Sequence, residues 1–485
     1  MTLGLTQQVA LIPVFLHFWS GEVLAAWLVI YAIGNLILIA DSGLQFRAIN
    51  RFLAFNSSID CNGRTARFYT ALLRVYLGLG SVLAVVVLIA SQLVLPSVVF
   101  RFQAVADFDA AFVIMSAGIL LALPSGLVTG LYRARGLYGR AVWLQSSATL
   151  VGQFGQLVAI VATGSLLAVA TVYVAAQMLI AIYLLVIDAP RLFPFLRGVT
   201  VKLSLRWVLG QFRKAAPFAI AGATELALLN LPVLLVSALV PDRVAVAQWG
   251  LTRVVAGLLR ALCVQTTLPL AAELGHDHAI GAKDRLRNLY ARGSAFVTVL
   301  ASLVVSGLLP FWQDFFALWT RGTIPYDSSL TVTLLIGTSA IAPAILALNY
   351  AIYSNQGDLL VRAKGLQLTV FLLLSLLLIP PLGPLGAAVA IVASDLSIQL
   401  GLLTSVIMHQ ILHHPLRHML FLAAAMIAIT LSGWVVGIAF RSAIAWTGWS
   451  RFIAECALWL TLIALAASPL SISRVRARLI AAIPR

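Results

Sequence analysis

A helix needs about 20 consecutive apolar residues to cross the hydrocarbon of a bilayer. This chain supplies such a run fourteen times, at 3–19, 23–40, 75–96, 109–131, 142–163, 166–187, 215–240, 244–270, 294–312, 329–350, 366–382, 384–407, 419–440 and 451–468. In lipid every backbone amide must find its hydrogen bond inside the protein, which leaves helices and closed barrels as the only spanning structures. The runs are continuous rather than alternating, which excludes a β-barrel. Of the 485 residues, 61% are hydrophobic and only 10% charged, against about 25% charged in a soluble domain. The expectation is an all-α polytopic membrane protein with about 14 transmembrane helices. The first run lacks a basic leader and a small-residue cleavage site, so it is read as a span and not as a cleavable signal. Cys61, Cys263 and Cys456 are odd in number and far apart, a pattern that suggests neither a disulfide framework nor a metal site.

The formal charge of +16 invites a nucleic-acid partner, but no binding motif accompanies it. In a membrane protein, basic residues collect in cytoplasmic loops and meet anionic lipid. With both termini inside, the inner segments hold Arg47, Arg51, Arg64, Arg67 and Arg74. They go on with Arg133, Arg135, Arg140, Arg191, Arg197, Lys202, Arg206, Arg213, Lys214, Lys283, Arg285, Arg287, Arg292, Arg362, Lys364 and Arg417, and end with Arg474, Arg476, Arg478 and Arg485. The outer segments hold only Arg101, Arg243, Arg321, Arg441 and Arg451. That asymmetry orients the chain, and its regular alternation supports the span count.

The chain also repeats. Ala26-Trp27 parallels Gln248-Trp249 at an offset of 222, and Tyr132 and Gly136 parallel Tyr353 and Gly357 at an offset of 221. Spans 1–6 and 7–12 therefore read as two copies of a six-helix unit with parallel topology, an arrangement found in two-lobed transporters. The expected organisation is an N-lobe over 1–190, a basic cytoplasmic linker over 191–214, a C-lobe over 215–407, and spans 13 and 14 with a basic tail over 408–485.

Arg253 and Arg260 are the two basic residues left inside a span. Seven residues apart, they share one helix face, roughly 10 Å apart along the axis. An arginine at the bilayer centre costs at least about 2.5–3.5 kcal/mol, so the pair points to a face lining a polar cavity, where planar guanidinium groups suit phosphate or carboxylate. An ion pair is the bland alternative. Glu225 in span 7 lies at a depth similar to Arg260, and it is either that partner or an ion-coupling site. Asp395 in span 12 is the other isolated acid, a candidate for ion coupling or for packing beside Ser394 and Ser397. Asn230 and Pro232 lie near Glu225. Asn35, Gln153, Gln156 and Gln177 suit sugar hydroxyls, although neutral polar groups more often join helices. Asp41 is expected to cap the segment after span 2 and pair with Arg47, which also sits at the cavity mouth. His409, His413, His414 and His418 read as a partly cationic inner loop. No P-loop, nucleophile elbow or His-Glu-x-x-His is found, and no cofactor is expected beyond a coupling proton or sodium ion.

Two stretches carry a resemblance. GEVLAAWLVIYAIGNLILIADSGLQFRAIN (Gly21–Asn50) and YRARGLYGRAVWLQ (from Tyr132) resemble the corresponding segments of bacterial polysaccharide repeat-unit flippases, the O-antigen and exopolysaccharide translocases. That family belongs to the multidrug/oligosaccharidyl-lipid/polysaccharide (MOP) exporter superfamily. The resemblance covers about residues 1–410. Relatives usually carry a basic inner arm and a longer first span, and this sequence departs from them there. What the resemblance implies is a MATE-like pair of six-helix lobes plus two extra C-terminal helices. It also implies translocation of a polyprenyl-diphosphate-linked oligosaccharide across the bacterial inner membrane by rocking lobes, beside polysaccharide polymerase machinery. Arg253 and Arg260 would hold the diphosphate or an acidic sugar, and Glu225 or Asp395 would couple an ion gradient. The rival readings are a drug or metabolite antiporter of the same superfamily and an integral membrane glycosyltransferase or polymerase. The second would use Asp107 and Asp109, although two acids at a helix start also have a simple dipole explanation.

Overall fold

The computed structural model describes residues 11–41, 43–56, 60–444 and 446–468, all of them helical or in short connections, with no strand among them. In chain order the helices are α1 (residues 11–18), α2 (Gly21–Ile37), α3 (Leu44–Asn56), α4 (Cys61–Leu93), α5 (Pro96–Val99), α6 (Phe108–Ala122) and α7 (Pro124–Ala134). Then come α8 (Tyr138–Thr163), α9 (Leu166–Ile182), the π-helix π1 (Tyr183–Asp188), α10 (Ala189–Leu192), α11 (Leu205–Leu239) and α12 (Arg243–Ala279). They continue as α13 (Lys283–Trp319), α14 (Ser328–Ala340), α15 (Ala342–Tyr353), α16 (Gly357–Leu382) and α17 (Pro384–Ser394). The π-helix π2 (Asp395–Thr404), α18 (Ser405–Ile411), α19 (Pro415–Ala443) and α20 (Gly448–Ala467) close the chain.

Among the described residues these elements, alone or joined end to end, form twelve stretches long and apolar enough to cross a membrane, and α14 with α15, bent by 48°, makes a thirteenth. They coincide with spans 2–14 of the sequence reading. The first eight residues of span 1, 3–10, lie outside those described, as does the basic tail with Arg474, Arg476, Arg478 and Arg485. The chain is a multi-pass membrane protein.

The repeat is visible in the order of elements. In each copy a long helix follows the second span (α4, α13), and the next span breaks where a proline opens its second half, Pro124 at the start of α7 and Pro343 at the start of α15. Each copy ends in a span interrupted by a π-helix. The turn after the broken span has a left-handed residue in both copies, Gly136 (φ 78°) and Asn355 (φ 58°). Glycine and asparagine tolerate that conformation best. This aligned pair sets the local offset at two less than the 221 suggested by the Tyr–Gly letters, so the tyrosine match is out of structural register.

The described residues divide into two compact units, one over Val14–Val246 and the other from Ala247 onward. The expected boundary lay before span 7, whereas α11 packs within the first unit, against α2 and α3. The reason is close approach: a Cβ on Gly43 (φ 68°) would fall 2.6 Å from the Ala219 backbone nitrogen. In this unit α3 was expected as a basic loop. It is instead a helix, tied to α7 by Gln45, whose side-chain amide donates to Gly126 O at 3.0 Å and Thr129 Oγ1 at 3.2 Å. The core runs through Leu72, Leu120, Leu127, Leu131 and Tyr132.

In the second unit α13 is the central post, packed by α14, α15, α19 and α20. Small residues let these helices touch, as is usual in membranes. Gly307 and Gly433 lie against Trp459 and Gly437 lies against Pro310. His418, expected in a partly cationic inner loop, is fully buried on α19 and bonded to Ser294 Oγ at 2.8 Å. An imidazole left unpaired in that apolar seam would be costly, and the α13 hydroxyl removes the cost.

Candidate functional site

The second unit encloses a continuous polar cluster. On α12, Arg253 and Arg260 are half-buried. Val255, Leu258, Leu259 and Leu262 occupy a different face, where they line an apolar cavity of about 270 Å³ with Val304, Leu308, Trp312 and Phe315 of α13. At 100° per residue the arginines lie about 150° round the helix from that cavity. Their side is the polar one: Thr267, one further heptad along, accepts from the Asn349 amide at 2.9 Å.

Arg260 Nη1 reaches Asp395 Oδ2 at 3.2 Å. The other carboxylate oxygen, Oδ1, accepts from Gln367 Nε2. Gln367 Oε1 in turn accepts from Lys364 Nζ at 2.9 Å, and Lys364 also donates to Gln399 Oε1 at 3.0 Å. Lys364, Gln367 and Gln399 are each 1% exposed and Asp395 3%. Two local devices make the convergence. Lys364 and Gln367 stand three apart on α16 and so share a face. Asp395 and Gln399 open π2, where bonding shifts from i+4 to i+5; Thr404 Oγ1 donates to the Gln399 carbonyl, five residues back, at 2.7 Å.

The chemistry orients this chain of groups. An ammonium only donates, so Lys364 draws both glutamine oxygens to itself. Gln367 must then present its NH₂ to Asp395, and the Gln399 NH₂ is left buried with no hydrogen-bond partner. A guanidinium and an ammonium thus converge with one carboxylate and two amides in a buried polar cluster. Such a cluster suits an anion. The basic pattern of the sequence places Lys364 in an inner loop. It lies two turns inside α16, and its spacing from Gln367 was the readable signal.

The other sequence candidates are distributed as follows. Asn35 on α2 donates to Asn230 Oδ1 on α11 at 3.4 Å, which joins two polar residues of the first unit. Gln153 and Gln156 on α8 are buried, and Gln153 Oε1 has no partner. Glu225 lies on α11 in the first unit. Asp395 engages Arg260 and Gln367, while its expected companions Ser394 and Ser397 bond to backbone carbonyls of their own helix. Asp41 accepts from the Gln45 amide at 3.3 Å, as a cap does, but its side-chain donor is the Tyr76 hydroxyl rather than Arg47. Arg47 is half-buried on α3, and burial followed by the charge of Arg51 lowers its pKa from the ordinary arginine value. Asp109 accepts from Ser97 N at 2.6 Å and Ser97 Oγ at 2.7 Å, which explains the acid at that helix start structurally.

One further centre went unread. Asp188 in π1 is 3% exposed. It accepts from Tyr132 OH at 2.6 Å and from Arg140, through Nε at 3.0 Å and through Nη2. This triad fastens the end of the sixth span to α7 and α8.

No family model matches this sequence, and no curated protein matches it. Solved structures do. The chain superposes on the lipid II flippase MurJ in an inward closed conformation with a TM-score of 0.72 and 10% identity, covering 97% of this chain and 99% of that one. A multidrug-resistance MATE family transporter of the MOP superfamily, inward-facing, gives 0.61 at 13% identity, covering 83% and 92%. A variant of the Vibrio cholerae MATE transporter VcmN gives 0.54 at 14%, again covering 83% and 92%. The chain therefore has the all-helical membrane fold shared by the MurJ flippase and the MATE transporters.

Proposed function

We propose that this chain is a flippase that moves a polyprenyl-diphosphate-linked oligosaccharide across the bacterial cytoplasmic membrane by alternating access, with both termini inside. The observation that carries the reading is the cluster that gathers Arg260, Lys364, Gln367, Asp395 and Gln399 inside an apolar helical unit, with the Arg260 guanidinium its partly exposed member. A guanidinium fork suits the oxygens of a diphosphate. The physical need is clear: each sugar hydroxyl left unbonded in hydrocarbon costs roughly 2–7 kcal/mol, and a polar path through protein removes that barrier while the prenyl tail stays in lipid. Arg253 and Arg260 are assigned to the diphosphate, Arg47 to capture at the inner face, and Asn35, Gln153 and Gln156 to sugar hydroxyls. Proton or sodium coupling belongs to the same proposal, because an ion arriving at Glu225 or Asp395 competes with a guanidinium for the carboxylate. A polysaccharide polymerase is the expected consumer of the flipped product.

A drug antiporter would share the fold, but the exposed member of this cluster is a guanidinium, which does not favour cationic drugs. The test uses cells lacking the gene, with surface polysaccharide and the leaflet location of its lipid-linked precursor read together. Intact precursor trapped on the inner face, rescued by the wild type but not by Arg253→Ala or Arg260→Ala, is the expected result. Full-length precursor reaching the outer face unpolymerised overturns the flippase, and truncated precursor points to a glycosyltransferase.

A further inference from the structure

The cluster in the second unit contains an asymmetry that the anion-binding reading does not use. The Arg260 side chain is 18% exposed, whereas Asp395 and Lys364 are sealed behind it. A ligand can reach Arg260 but not Lys364. An arginine that leaves a carboxylate to grip a ligand abandons a buried charge, and that is strongly unfavourable unless a second cation stays behind. Lys364 is placed to be that cation. Gln367 links it to the carboxylate: that amide is polarised between the ammonium at Oε1 (2.9 Å) and Asp395 Oδ1 at Nε2.

Resting on the anionic-substrate reading above, we infer that Lys364 is a built-in counter-cation for Asp395, which lets Arg260 exchange its carboxylate for a phosphate of the substrate. Lys364 is thus a positioning residue for Arg260 and not itself a ligand group. Its fixed partners, Gln367 and Gln399, hold the ammonium while Arg260 swings. The ligand chemistry is a diphosphate or another compact dianion that can replace a carboxylate at a guanidinium fork.

The test is a double-mutant cycle on the full-length protein in lipid nanodiscs, with inorganic pyrophosphate as the probe and calorimetric affinity as the readout. Lys364→Met ties Arg260 to Asp395, and pyrophosphate affinity is expected to fall about tenfold. Asp395→Asn releases Arg260, and affinity is expected to rise severalfold. The double variant should bind at least as well as the wild type, because the carboxylate that needed the counter-cation is gone. A merely structural role for Lys364 would not produce that recovery. Lys364→Arg, which keeps the charge, should retain wild-type affinity and thermal stability. If Lys364→Met folds and binds pyrophosphate like the wild type while Arg260→Ala abolishes binding, the counter-cation is overturned and the anion site stands. If Arg260→Ala leaves pyrophosphate binding unchanged, the anion site falls, and the inference falls with it.

Discussion

Lys364 shows how a single position can be misread from charge pattern alone. It follows Arg362 by two residues and precedes the apolar run of span 11, so the inside-loop rule claims it. Three-dimensional packing instead sets its ammonium among two amide oxygens, and the acid that balances it lies in another helix. Because Asp395 holds Arg260 directly and is linked to Lys364 through Gln367, Asp395→Ala should cost more than removing either cation. About 3–5 kcal/mol is expected for a buried pair broken at one partner, read as a loss of thermal stability in detergent. Asp188 makes the matching prediction in the first unit: Asp188→Ala should destabilise by a similar amount, because Tyr132 and Arg140 both lose their acceptor. Arg260 and Asp395 were each picked out in the sequence by depth, but the bond between them was not. They are 135 residues apart, and hydropathy reports depth in the bilayer without reporting which way a helix faces.

At the scale of elements, every described span was legible, because apolar length is a local property. The interruptions were less so. Pro124 and Pro343 mark two breaks openly, and Pro190, just past π1, leaves a π1 carbonyl without its usual donor, whereas π2 contains no proline to announce it. The helix contacts around α13 depend on glycine in the same hidden way. A Cβ on Gly433 would lie 2.4 Å from Ser306 Cβ and 2.7 Å from the Trp459 ring. Gly433→Val should therefore push α19 off α13 and lower stability by about 1–3 kcal/mol, seen as a drop in melting temperature. Gly365 on α16 has nothing within 4 Å. Gly365→Ala should leave the fold intact and raise stability by about 0.5–1 kcal/mol through lower backbone entropy in the unfolded chain.

For the whole molecule, orientation is the property to test. In a background with Cys61, Cys263 and Cys456 replaced, a cysteine at Lys202 should react with a membrane-impermeant maleimide only from the cytoplasmic side, and one at Thr323 only from outside. Labelling of both from one side would overturn the basic-residue topology. The membrane class, the span sequence, the two-fold repetition and the residues worth mutating are set by composition and periodicity, which the bilayer reads directly: about 20 apolar residues cross it wherever they occur. Tertiary structure alone decided that α11 packs in the first unit, that His418 is buried, and that Lys364, Gln367, Asp395 and Gln399 converge on Arg260. Those outcomes depend on which helix faces meet, and at 10% identity to the MurJ flippase the fold is preserved by depth and small-residue contact while the letters at those faces are free to change.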